Sequence, residues 1–379
     1  MSKYKKILFI TATRAEFGKI KTLINILKNS KNFKPYIFIT GVHTLKKFGS
    51  TYKEILNEKY ENIKIFKNYY TDQKEINGDL IISQTIIGLK KYVSRIKPDL
   101  LVIHGDRHEA LAGAIVGCMN NILTAHIEGG ELSGNIDEII RHSVSKLSHI
   151  HFPSNANAKK RIIQMGEKRK TIFNIGSPDI DILLSRTVPK YEIVKKRYDI
   201  PFKKKDYGIL IWHPDSINIK NIVDNTKKVL GFVKKTKQNY IVIYPNNDYG
   251  NENIINLINL NLNSNKYKIY PSIRFENFIS LLKNSKFIVG NSSCGIREAP
   301  YFGLNIFNLG NRQNSRSKNK DIYNIKINKL NKINFDKLIK RKIKNKKPYG
   351  YGNSNIKFLK LINSKNFWKI DKQKIFSNV

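Results

Sequence analysis

Short apolar runs alternate with longer amphipathic stretches through the first half of the chain. KILFITAT precedes GKIKTLINILK, YIFITG precedes a polar segment through Leu56, DLLVIHG precedes HEALAGAIVGCM, and ILTAHIEGG precedes IDEIIRHSVSKLSHI. Strand-like runs feeding helix-like runs at this spacing predict parallel βαβ units. The strands are apolar without alternation, which predicts a sheet covered by helices on both faces. IHFPS and IFNIGSP extend the series to Pro178. A polar, lysine-rich stretch from Ser185 to Asp206 reads as a linker, and the alternation then restarts with YGILIWHPD, IKNIVDNTKKVLGFVKK, NYIVIYPNND, FENFISLLKN, KFIVGNSS and GLNIFNLG. The pattern therefore predicts an α/β chain with two doubly wound, Rossmann-like parallel-sheet domains, residues 1–184 and 185–355. Between Ile356 and Phe376 the side chains Phe358, Leu359, Leu361, Ile362, Phe367 and Trp368 recur at helical spacing. Residues 356–379 are accordingly expected to form a C-terminal helix that packs back on the first domain.

Length and composition agree with this picture. A chain of 379 residues with 40% hydrophobic content exceeds what one core usually supports and suffices for two. No apolar run approaches the ~20 residues a bilayer span requires, and the amino terminus carries no signal-peptide pattern. The two cysteines, Cys118 and Cys294, suit a reducing compartment, so the expected location is the cytoplasm. The formal charge of +40 raises the question of nucleic acid. The lysines are scattered among Asn and Ile, with no recognition motif or aromatic-laced stripe, so nucleic-acid binding is not the expected function. An anionic substrate would still be attracted.

In parallel sheets, chemistry gathers in the loops after strand carboxyl ends. After the first run, TATRAEFGK places Arg14 and Lys19 at the start of a helix. Its dipole disfavours cations there, which hints at an anionic ligand, although both also read as solvated helix-start residues. Asp106 in HGD ends the LLVI run and reads on its own as a helix N-cap. Glu128, between Ile127 and two glycines, is a strand-end carboxylate beside backbone that a ligand can approach closely. Asp137 opens the helix DEIIRHSVSK and reads either as a cap or as a partner for Arg141 one turn on. Three acids at three consecutive strand or loop ends point to one crevice.

In the second half, His213 ends the strand GILIW. Asn291, Ser292 and Ser293 form a small-residue turn before a helix, a setting suited to a diphosphate. Glu298, one turn into that helix, is placed to accept from ribose hydroxyls or else is a plain helix acid. Arg312 and Arg316 follow the last apolar strand and are placed to meet phosphates. No Walker A sequence, no G-x-G-x-x-G and no metal-type Cys/His spacing is present, so neither a metal nor any other cofactor is expected.

Taken together, TATRAEFGK, TGVH, VIHGDRHEALAGA, AHIEGGELSGNIDEIIRHSVSKLSH, IGSPDID, WHPDS, YPNND, GNSSCGIREAP and NLGNRQNSR resemble the UDP-N-acetylglucosamine 2-epimerase family, in particular its hydrolysing branch. The likeness spans nearly the whole chain, and HIEGGE-x-SG-x-ID with GNSS-x-x-x-x-EA is its most specific part. The resemblance implies a GT-B-like fold, with the two domains facing across a cleft and the C-terminal helix crossing back. It implies anti elimination of UDP to a 2-acetamidoglucal, followed by addition of water to give the free 2-epimer. It matches Asp106, Glu128 and Asp137 to the family's active-site carboxylates and His213 to its cleft histidine. Arg14, Ser292, Ser293, Glu298 and Arg312 would meet the UDP, with Lys19, His43 and Arg107 as further candidates. Asp137, where the non-hydrolysing branch carries Glu, and the GVH loop both favour hydrolysis. TRAEF departs conservatively from the TRADY of hydrolysing relatives.

The expected reaction is thus the conversion of UDP-N-acetylglucosamine and water to N-acetylmannosamine and UDP, by a homo-oligomer of two or four copies as the family suggests. Two alternatives stay open. Enzymes hydrolysing UDP-N,N'-diacetylbacillosamine with 2-epimerisation share every motif quoted, and a GT-B glycosyltransferase would bind the same nucleotide but need no carboxylate cluster around C2.

Overall fold

The computed structural model describes residues 4–69, 78–133, 136–215, 219–246, 248–313, 316–317 and 319–378. Of the motif positions above, Gly134, Asn135, Ser216, Asn247, Asn314 and Ser315 lie outside the described residues. The chain divides into two compact units, the first made of Met1–Glu131, Asp137–Ser185 and Tyr349–Val379, the second of Leu132–Ile136 and Arg186–Pro348.

The first unit is built on a sheet of β1 (Lys5–Thr11), β2 (Phe33–Ile39), β3 (Ile63–Ile65), β4 (Leu100–His104), β5 (Leu123–Ile127) and β6 (Ile150–Phe152). Its order is β3-β2-β1-β4-β5-β6, with every pair parallel. Every residue of β4 and β5 is buried, as their unbroken apolar pattern requires. Strand order reverses between β1 and β4, and the loops leaving those strands frame the place where ligands of doubly wound sheets bind. The helix after β1, Arg14–Lys28, starts at a reciprocal cap: the Thr13 hydroxyl accepts from the Glu16 amide at 3.2 Å, and the Glu16 carboxylate accepts from the Ala12 amide at 2.6 Å. IFNIGSP does not become a strand. It contributes one bridge, Ile172 to His151, before Gly176 turns the chain at φ +85°.

The tail returns to this unit. A helix over Ser354–Ile362 buries Phe358 against Phe9 and Phe152, with ring centroids 6.5 and 5.6 Å apart. The helix is shorter than the spacing predicts, because Asn363 and Ser364 follow it and such residues compete with helical hydrogen bonding. Trp368 then donates to the Ile362 carbonyl at 2.7 Å, satisfying one of the helix's open acceptors.

The second unit repeats the plan. Strands β7 (Tyr207–Ile211), β8 (Asn239–Ile243), β9 (Tyr267–Tyr270), β10 (Phe287–Gly290), β11 (Asn305–Leu309) and β12 (Ile322–Ile325) form a parallel sheet in the order β12-β11-β10-β7-β8-β9. Here the reversal falls between β7 and β10. At the end of β10, Gly290 has φ +131°, and a Cβ there would lie 1.9 Å from the Ile211 carbonyl oxygen, so only glycine lets β7 and β10 approach at this point. The stretch Ser185–Asp206 is not a free linker. It folds a helix over Tyr191–Arg197 whose Tyr191 is buried, stacks on Tyr207 at 6.1 Å and donates to the Phe202 carbonyl. Its lysines hide the few apolar anchors that tie it to the second unit.

Candidate functional site

Glu128 directly follows β5 and sits at φ +66°, a left-handed conformation that costs a non-glycine residue about 1 kcal/mol or more. Its amide donates to the Phe152 carbonyl at 3.0 Å, which holds the turn against β6. Gly129 and Gly130 make the turn possible. A Cβ on Gly130, at φ +76°, would lie 2.3 Å from the Ala158 carbonyl oxygen.

The carboxylate so presented is buried and closely attended. His104 Nε2 stands 3.3 Å from one oxygen, Lys19 Nζ stands 3.6 Å from it, and the Ser177 hydroxyl bonds the other oxygen. Ser177 also bonds Asp179, and Lys19 lies 3.9 Å from Asp179. Lys19 therefore stands among the carboxylates as a counter-charge. On its helix it is flanked by the buried residues Gly18 and Ile20. Below the loop, His126 donates Nε2–H to the Gly105 carbonyl at 2.8 Å, while its Nδ1 accepts from Ser145 at 3.0 Å. Burial drives its pKa down to about 3, so it is neutral and fixes the turn that carries His104 and Asp106.

Asp106 does not cap the following helix, whose N-cap is Arg107. It pairs instead with Arg141, a fully buried arginine that also donates to the Glu131 carbonyl at 3.1 Å. Arg141 stands one turn beyond Asp137 on the helix Ile136–Leu147, so it ties the Asp106 loop to the helix that Asp137 opens. Asp137 itself is half-buried in the first turn, where the helix dipole favours an anion. Arg107 lies 3.5 Å from the buried Glu109. Arg14 opens its helix as expected and pairs with Glu54. His43 is 1% exposed, with Nε2 bonded to the Thr11 hydroxyl at 3.1 Å and Nδ1 to the Thr51 hydroxyl at 2.7 Å, and burial followed by the nearby Arg14 charge brings its pKa to about 3. Such a histidine braces the loop after β2.

In the second unit, Asn291 is the organising residue. Its side chain accepts from the His213 amide at 2.7 Å and donates to the His213 carbonyl at 2.9 Å, which zips the loop after β7 to the loop after β10. Its own carbonyl accepts from Gln313 at 3.0 Å and from Arg312 at 3.5 Å. Arg312 also stands 3.7 Å from Asp248, and Arg316 donates to Gln313 at 2.9 Å. The Asn246 amide donates to His213 Nδ1 at 3.0 Å, which marks that nitrogen as the acceptor. Burial first, and the Arg312 charge second, lower the His213 pKa to about 3, so the ring is neutral and offers Nε2–H as a donor. Ser292 and Ser293 are half-buried. Ser293 caps a helix of only four residues, Cys294–Arg297. Glu298 closes that helix rather than lying within it, and is 3% exposed.

Sequence reading placed Glu128, Asp106, His213, Asn291 and Arg312 at the strand ends where they are found. It missed His104, Ser177, Asp179 and Gln313 as members of the two clusters. Ser177 carried a usable signal: a serine before Pro178 at the first turn of a helix should act as its N-cap, yet its hydroxyl makes no cap bond and turns to Glu128 and Asp179 instead.

Residues 25–363 match the family model for UDP-N-acetylglucosamine 2-epimerase. The chain is 41% identical over 382 residues, covering 98% of each protein, to the UDP-N-acetylglucosamine 2-epimerase of Neisseria meningitidis serogroup B. It is 32% identical, over 85% of each chain, to the hydrolysing UDP-N,N'-diacetylbacillosamine 2-epimerase of Legionella pneumophila. The fold superposes with a TM-score of 0.80 at 22% identity on the Methanocaldococcus jannaschii UDP-GlcNAc 2-epimerase solved with UDP-GlcNAc and UDP, covering 94% of this chain and 99% of that one.

Proposed function

The chain belongs to the UDP-N-acetylglucosamine 2-epimerase family, and on that premise we propose that it converts UDP-N-acetylglucosamine and water to N-acetylmannosamine and UDP. The observation that carries the reading is the Glu128 carboxylate, held on a left-handed backbone at the end of β5 with Lys19 and His104 beside it. Packing does not call for a buried acid in a costly conformation; proton transfer does.

The C2 hydrogen of the sugar is not acidic, so departure of UDP from C1 must lead, and positive charge at the diphosphate lowers that barrier. Arg312 and the Ser292 and Ser293 hydroxyls and amides take this role in the second unit, with Glu298 on the ribose and the neutral His213 as a donor. Arg14 and Arg107 add positive charge in the first unit. A carboxylate then removes the C2 proton to give the 2-acetamidoglucal, after which water adds at C1 and a proton returns to C2 on the opposite face. Asp106, Glu128 and Asp137 divide the acid and base roles. The product is a sugar of the sialic acid route, and the enzyme works as a cytoplasmic homo-oligomer. The free thiols Cys118 and Cys294 suit such a compartment. No helix among the described residues is long and apolar enough to cross a membrane.

The test is incubation in deuterated water with UDP-N-acetylglucosamine and, separately, with UDP-N,N'-diacetylbacillosamine, on which the Legionella relative is named to act. Free N-acetylmannosamine carrying deuterium at C2, released with UDP, is the expected result. An intact epimerised UDP-sugar would make the enzyme non-hydrolysing, and turnover of the diacetyl sugar alone would reassign the substrate.

A further inference from the structure

Resting on that placement of UDP in the second unit, we propose that Asp248 and Arg312 form a charge latch across the nucleotide crevice, which the diphosphate opens and whose closing speeds the departure of UDP. Strand order in this sheet reverses between β7 and β10, and ligands of doubly wound sheets bind in the crevice at that reversal. Asp248 follows β8 and Arg312 follows β11, the two strands that flank the β7 and β10 pair. Their side chains nevertheless meet, with Arg312 Nη2 3.7 Å from Asp248 Oδ2. An ion pair drawn from those two loops spans the crevice, so a ligand seated there touches it or parts it.

The two partners are held differently. The Asp248 carboxylate accepts from Asn246 Nδ2 at 2.6 Å. Its backbone carbonyl accepts from the amide and the side chain of Asn251, at 3.1 and 2.9 Å, where the helix Asn251–Asn261 begins. Asn246 is in turn tied to His213 Nδ1 through its amide. The acid is thus fixed in place, and the guanidinium is not. Arginine has five N–H donors, and a charge-assisted bond to an anionic oxygen closes to about 2.7–2.9 Å. Among the described residues, Arg312 reaches only the Asp248 oxygen at 3.7 Å and the Asn291 carbonyl at 3.5 Å, both beyond that range. Most of its side chain is buried, so a phosphate oxygen at full hydrogen-bonding distance is a better partner than either.

Asp248 and the diphosphate therefore compete for one guanidinium. When the phosphate oxygens hold it, the Asp248 carboxylate is left near an anion that it repels. When UDP departs, that repulsion ends and the ion pair is recovered. Asp248 is in this sense a positioning residue that acts through Arg312. The competition lowers the affinity for ligands that carry the diphosphate and leaves a ligand without phosphate unaffected. An enzyme that frees UDP as a product gains from a site that does not retain it.

Titration calorimetry and stopped-flow dissociation of UDP from Asp248→Asn test this, because the amide keeps an acceptor for Asn246 while removing the charge. UDP should bind about threefold to tenfold more tightly than to the native protein, with most of the change in a slower dissociation rate. Uridine, which lacks the diphosphate, should bind within about twofold of native affinity. In an Arg312→Ala background the same substitution should lose most of its effect, because the members of one pair are not additive. Misfolding does not produce a gain in affinity, so a structural role alone cannot mimic this result. Unchanged or weaker UDP binding would overturn the latch. An equal gain for uridine would do the same by locating the effect at the base or ribose, and an undiminished gain without Arg312 would reduce Asp248 to a repelling charge. If the latch responses appear but neither sugar nucleotide is turned over, the functional reading fails while the latch stands; if the native protein binds no UDP, both fall.

Discussion

Asp181 accepts hydrogen bonds from both the amide and the hydroxyl of Ser354, at 2.9 and 2.6 Å, joining the helix after the Ser177 turn to the first residue of the C-terminal helix 173 positions away. Its other oxygen accepts from the Asn355 amide at 2.8 Å, so one remote carboxylate serves the open amides at the start of that helix. The same short segment thus sends Ser177 and Asp179 to the candidate site and Asp181 to the tail.

Asp181→Ala removes those acceptors and leaves buried donors without partners. We expect a loss of about 2 kcal/mol or more in unit stability. The tail helix should detach first, exposing Phe358. Protease cleavage after the residues of 349–379 under native conditions, compared with the unaltered chain, measures it; equal protection would show that apolar packing alone holds the tail.

Acid should weaken the first unit in two stages. Burial lowers the pKa of His43 and His126 from 6.5 to about 3. Between those values the unfolded chain binds protons that the native state refuses, so stability falls as pH drops below 6.5, by up to about 2 kcal/mol per histidine by pH ~5. Glu167 adds a second stage. Burial pushes it up, but His151, Lys374 and Lys146 overcome this and hold it at about 2 against a usual 4.5. Its contribution, on the order of 2 kcal/mol after screening, is present above pH 4.5 and lost from there towards 2. Urea midpoints across pH should decline from neutrality, and Glu167→Gln should flatten only the lower part. A flat curve between pH 7 and 5 would contradict the buried neutral histidines.

The central strands were legible because both their faces are covered and nothing polar interrupts LLVI, GILI or FIVG. Three of the four edge strands were not. Ile63–Ile65, Tyr267–Tyr270 and Ile322–Ile325 are short, partly exposed and carry polar residues, so they look like loops until a neighbour pairs with them. At the site, Glu128 and His213 announced themselves by following apolar runs directly. Ser177 stands 49 positions from Glu128 in the sequence and brings Asp179 with it, and only the fold creates that proximity. Lys19 follows the first strand closely enough to be singled out, but its nearness to acids from two other elements, Glu128 at 3.6 Å and Asp179 at 3.9 Å, comes only with the fold.

Arg312→Ala should weaken UDP binding by about tenfold to a hundredfold, the usual effect of losing a charge-assisted contact. Arg312 is also the second cause of the low His213 pKa, so its removal should raise that pKa while burial keeps it below 6.5. Titration calorimetry with UDP and NMR titration of His213 report the two effects separately. Unchanged UDP affinity would take Arg312 out of the nucleotide site.

Glu128→Gln keeps the size of the side chain and one acceptor for its neighbours while removing the group that ionises. UDP should bind with nearly native affinity, because Glu128 is not among the proposed nucleotide contacts. Turnover should fall by roughly two or more orders of magnitude, as for loss of a general acid or base. The amide also brings N–H donors towards Lys19 and His104, where the carboxylate accepted, so Lys19 loses part of its counter-charge and the variant should show a changed pH profile in whatever activity survives. Stopped-flow release of UDP, read beside deuterium uptake at C2, separates the steps. If UDP still departs at the native rate while C2 exchange stops, Glu128 acts on the sugar proton alone; if both persist at native rates, it has no part in the reaction.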